Sequence, residues 1–107
     1  IDGLILDETR SKIGHDFYEY FYAGWSAPEK AKGFIITIRE FPGRGIGAQI
    51  AVEVNDQTLI KQFLQPRADL IESTAGQIVN LVKDHLNKLE DLNSQILSED
   101  IQGSGIY

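Results

Sequence analysis

Between Phe34 and Leu64 the chain carries three short apolar segments set off by turn residues, and no other stretch restricts its fold so tightly. From Phe34 to Phe41, side chains alternate, with Phe34, Ile36 and Ile38 on one face and Ile35, Thr37 and Arg39 on the other. A period of two is the signature of a strand. Ala48 to Val54 alternates more cleanly, with Ala48, Ile50, Val52 and Val54 inward and Gln49, Ala51 and Glu53 outward. Pro42, Gly43, Arg44, Gly45 and Gly47 form a flexible turn between these two, and Asn55-Asp56 marks a tight reversal after the second. Thr58 to Leu64 is apolar on both faces, through Leu59 and Phe63 on one and Ile60 and Leu64 on the other. Such a strand is either central or in contact with something beyond the domain.

A helix is expected on each side of this block. In residues 11–25, Ile13, Phe17, Tyr20 and Phe21 fall near one stripe, Asp16 and Glu19 face outward, and Ser11 or Thr9 supplies the cap. Gly24 to Gly33, with Pro28, reads as a connecting loop. After Pro66, Asp69 and Glu72 resemble a capping pair. Ile71, Ala75, Ile78, Val82, His85, Leu89, Leu92 and Ile96 then recur in alternate steps of four and three. Carried to residue 97, that helix reaches roughly 40 Å at about 1.5 Å per residue, an overhang for so small a domain. A break or bend is expected near Asn93-Ser94, and the tail 98–107 is expected to be loosely ordered. The fold class is therefore α+β, a single two-layer domain over residues 1–107. Its expected order is helix, three-stranded antiparallel sheet, long helix, with both helices on one sheet face.

Composition removes several function classes. The 107 residues allow one domain. With no cysteine there is no disulfide framework, thiol nucleophile or thiolate metal site. With no methionine either, the expectation is a processed chain whose signal peptide has been removed or which has been otherwise trimmed. No apolar run approaches the roughly 18 residues of a membrane span, so no membrane insertion is expected. The net charge of −6 argues against nucleic acid as a partner. The charge is uneven. Residues 1–29 carry six acids and two bases, residues 30–67 three acids and six bases, and residues 68–107 seven acids and two bases. The basic middle reads first as the solvated side of a sheet.

Catalysis would have to rest on His15-Asp16 and Asp84-His85. Neighbours on a helix point about 100° apart, so neither pair presents both side chains easily to one ion. Gly43 to Gly47 resembles a phosphate cradle but leads into a strand, whereas such loops work by opening a helix. No catalytic residue, cofactor site or metal ligand is assigned. The aromatic cluster Phe17, Tyr18, Tyr20, Phe21, Tyr22 and Trp25 covers more of its helix than one buried stripe needs. Tyr18, Tyr22 and Trp25 share a second stripe. Packing from several sides is the plain reading, and a partner surface the functional one, because Tyr and Trp are enriched at contact hot spots.

The block Ile13-Gly14-His15-Asp16-Phe17-Tyr18, with Trp25 seven residues on, resembles the curli assembly and transport component family CsgE. The likeness continues in register through Gly3-Leu4, Phe34 to Glu40, Arg44, Gly47, Ile50, Val54-Asn55, Phe63-Leu64, Pro66 and Gln95 to Ser98. Ile46 stands where the family carries an aromatic residue. The resemblance implies a periplasmic secretion adaptor of the type VIII (curli) system, without enzymatic activity or cofactor. It implies a homo-oligomeric ring, nonameric by the family's pattern, that caps a CsgG-like outer-membrane channel. The ring would direct an unfolded CsgA-like curlin amyloid subunit to the pore and keep it soluble. The candidate interface residues are Trp25, Phe41, Arg44, Ile46, Tyr18 and Tyr22. Two rivals remain at this point: an unrelated interaction or chaperone module, such as a dimer through the long helix, and a small enzyme using His15 and Asp16.

Overall fold

The three expected strands form an antiparallel meander, and a fourth strand lies against it in a computed structural model. The model describes residues 3–43 and 45–106, with side chains followed to Ile96. In chain order the elements are β1 (Gly3–Glu8), α1 (Lys12–Gly24), β2 (Phe34–Phe41), β3 (Ala48–Val54), β4 (Gln57–Leu64) and α2 (Ala68–Ile106). The sheet order is β1-β2-β3-β4. β2, β3 and β4 pair antiparallel, in a register that sets Ile38 beside Val52 and Ala48 beside Leu64. Asn55 and Asp56 both take positive φ, 51° and 70°, the geometry a two-residue hairpin requires. The Asn55 side chain accepts a hydrogen bond from the Ile35 N–H at 2.9 Å, fastening that turn to β2.

The sheet has four strands, not three, and it is mixed. β1 runs parallel to β2, from Gly3 beside Phe34 to Glu8 beside Arg39, with α1 as the crossover between them. Parallel neighbours need such a connection. β4 is an edge strand rather than a central one, so its two apolar faces have a different cause: Leu64 is buried and Phe63 stays half exposed on the uncovered side.

Both helices lie on one sheet face. Phe17 and Phe21 of α1 meet Ile36, Ile38, Ile50 and Val52 of the strands and Ile71, Ala75, Ile78, Val79, Val82 and Leu86 of α2 in one core. Burying each large apolar side chain stabilises the fold by about 1.5–3 kcal/mol relative to leaving it in water. The buried stripe of α2 drifts from the seven-residue repeat toward 3.6 residues per turn. Leu86 therefore takes the inward place read for His85, which is half buried. The helix also runs unbroken through Asn93 and Ser94, contrary to the expected break. Beyond Leu86 it leaves the core, and the molecule extends 60 Å along its long axis against 24 and 21 Å across. The side chains of the expected loose tail lie outside the described residues.

Candidate functional site

The start of α1 is fixed to the sheet by a small polar cluster. Ser11 caps the helix, its hydroxyl accepting the Gly14 N–H at 3.1 Å. Thr9, the other candidate cap, donates instead to Asp7 through its N–H (2.9 Å) and hydroxyl (2.6 Å). Glu40, the last inward residue of β2, accepts the Arg10 and Ser11 N–H groups at 2.7 and 2.9 Å. Burial alone would raise the Glu40 carboxyl, but those donors and the Arg10 charge hold it below its ordinary value. Gly14 is required by this contact, since a Cβ there would collide with the Glu40 carboxylate oxygen.

His15 sits beside this cluster between two carboxylates, but not beside the one adjacent in sequence. Its Nδ1 is 3.4 Å from Asp7 and its Nε2 3.1 Å from Glu19, while Asp16 pairs with Lys12 at 2.8 Å. The two partners of His15 lie at opposite ring nitrogens and do not converge on one ion position. Among the described residues, no group of three His, Cys, Asp or Glu is arranged to hold a metal. Asp7 would be raised by burial, yet its bonds from Thr9 and His15 leave it below its ordinary value. The cluster reads as a clamp between β1 and α1.

Two exposed patches lie apart, one along the outer side of α1 and one around the β2–β3 hairpin. The first is the outer aromatic stripe of α1. Tyr18 lies 6.2 Å from His15 and 5.9 Å from Tyr22, and its phenol is shifted up, mainly by burial and then by the Asp7 charge. Tyr22 is 59% exposed. Trp25 ends the helix half buried, stacked on Phe21 at 5.7 Å and edge-on to Phe34 at 5.9 Å, with Lys83 Nζ 6.0 Å from its ring. It therefore anchors the patch to the core as well as bordering it.

The second patch surrounds the β2–β3 hairpin. Ile46 at its tip is 82% exposed, and Phe41 lies on the open sheet face with Lys61 Nζ 5.6 Å from its ring. Arg44 lies outside the described residues. Phe63 of β4 belongs to this patch and was not among the sequence candidates. Its ring crosses Gly47, where a Cβ would collide with it. The signal for Phe63 was the two-sided apolarity of its strand. Trp25 touches Phe34 at one end of β2 and Phe41 stands at the other, about 23 Å away at about 3.3 Å per residue. The six candidates thus do not form one surface. Between the ends, the open face carries Arg39, bonded to Glu8 at 2.5 Å and Glu53 at 2.7 Å.

The described candidates lie exposed or half buried at the surface of the domain. The model of the family described as "Curli assembly protein CsgE" matches residues 1–103. The "Curli production assembly/transport component CsgE" of Escherichia coli O6:H1 is 32% identical over 98 residues, 92% of this chain and 73% of the relative. The protein of the same name from Escherichia coli O157:H7 gives the same values. The one from Salmonella typhi is 31% identical over 88 residues, 82% of this chain and 65% of the relative. The chain belongs to the CsgE family of curli assembly proteins.

Proposed function

We propose that this protein is a periplasmic adaptor of curli secretion. It assembles into a homo-oligomeric ring, caps the outer-membrane export channel, and directs unfolded curlin subunits into the pore while keeping them soluble. The carrying observation is the pair of separate exposed patches, one along α1 ending at Trp25 and one around the β2–β3 hairpin, in a chain of this family. A ring built head to tail needs two different surfaces on each subunit, one offered and one accepting, set apart from each other. Tyr18, Tyr22 and Trp25 supply the first, and Phe41, Ile46 and Phe63 the second. The related proteins are named for curli assembly and transport, and no helix among the described residues is long and apolar enough to cross a membrane.

No chemical step is needed for this role. Confining an unfolded chain under the channel mouth restricts its conformations, so that leaving through the pore becomes favourable. The test mixes the purified protein with channel particles and with freshly denatured curlin. Added density at the periplasmic opening and delayed curlin aggregation are expected. Bare channels together with unchanged aggregation would contradict the proposal.

A further inference from the structure

The two edges of the sheet are unlike. β4 carries Lys61, the polar Gln57, Thr58 and Gln62, and a pairing irregularity opposite Val52 and Glu53, all features that discourage another strand from adding. β1 opens with Gly3-Leu4-Ile5-Leu6, which has neither charge nor proline. Its two acids come last, and both are engaged: Asp7 with Thr9 and His15, Glu8 with Arg39. One row of β1 backbone groups bonds β2, and the outer row has no backbone partner among the described residues.

A depression of about 460 Å³ lies against this strand, lined by Gly3, Leu4, Ile5, Tyr22, Trp25, Ala27 and Phe34. On the opposite face, Leu4 and Leu6 are 45% and 42% exposed. We propose that the β1 edge of the unassembled subunit takes up an extended segment of an unfolded polypeptide as a fifth strand, with apolar or aromatic side chains seated beside Tyr22 and Trp25 in competition with the ring contact that uses the same residues. This rests on the reading that the protein handles an unfolded client. A docked helix would cover the outer N–H and C=O groups without satisfying them, whereas a strand bonds each one. Side chains of the added strand alternate between faces, so every second one enters the depression and the others run beside Leu4 and Leu6. No charged side chain lines the depression, so the side chains seated in it are uncharged.

The probe is an eight-residue peptide of alternating valine and threonine, with one central tyrosine and a lysine at each end. Its twin is methylated on every central backbone nitrogen. Binding is followed by fluorescence anisotropy and by hydrogen exchange on the full chain. The peptide is expected to protect β1 amides, and its twin to bind at least about tenfold more weakly. The variant Leu4→Lys with Leu6→Lys, both at exposed positions, is expected to lose binding to the same degree while keeping the wild-type melting curve. Equal binding of the twin, protection at β4 instead of β1, or an effect of the variant on self-association alone would overturn the proposal. Delay of curlin aggregation separates the two readings. A variant that still delays it as wild type does would sink the edge site and leave the adaptor. A wild type that binds the peptide through β1 but ignores curlin would sink the adaptor and support the edge.

Discussion

At the residue scale, the block resembling the family divides into structural and exposed members. Gly14 and Glu40 act together, because a side chain at position 14 would displace the carboxylate oxygen that accepts the Arg10 and Ser11 N–H groups just ahead of α1. Gly14→Ala and Glu40→Gln are each expected to cost about 1–2 kcal/mol, the usual worth of a lost helix-start contact, read as a lower urea midpoint. The pH dependence follows from the depressed Glu40 carboxyl. Its contribution is complete above the ordinary value of 4.5 and is lost as pH falls through the lower folded value. Glu40→Gln should therefore flatten the fall in stability on the acid side of pH 4.5, and an unchanged slope in acid urea titrations would count against this assignment. Trp25 is part core and part surface, so its truncation confounds folding with binding; Tyr22 and Ile46 report on contact alone.

At the element scale, the meander was legible because β2 and β3 each hide one face, which alternation records, and because turn residues bound the apolar run of β4. β1 was not. It is six residues long, its Leu4-Ile5-Leu6 run hides no period of two, and it joins the sheet through a crossover that no local pattern announces. The break or bend expected near Asn93-Ser94 follows from the overhang of so long a helix beyond a small domain, and the helix instead continues past the core as an exposed extension. The candidate interface residues were picked as residue types, but the distance that separates Trp25 from Phe41 was not legible, since only the length of β2 between Phe34 and Phe41 fixes it. α2 itself divides in two. Leu86→Ala removes packing from the core and should cost about 2–5 kcal/mol. Leu92→Ser and Ile96→Ser, each at a 53% exposed position, should move the melting midpoint little, within about 0.5 kcal/mol apiece. A large loss from the exposed pair in a dilute thermal melt would mean that the overhanging turns are covered in solution.

At the scale of the whole molecule, the proposed ring depends on a subunit that presents different surfaces at its two ends. Such assembly can be stopped from either end and restored for a single contact by mixing. Tyr22→Glu spoils one surface and Ile46→Glu the other, and neither touches the buried core. The decisive measurement is the particle mass of each variant alone and of an equal mixture, at a concentration where the wild type assembles. Monomers from each variant alone and dimers from the mixture are the expected result, because one intact end from each meets once and growth then stops. Wild-type assemblies from either variant alone, or a mixture that stays monomeric, would contradict two-ended assembly.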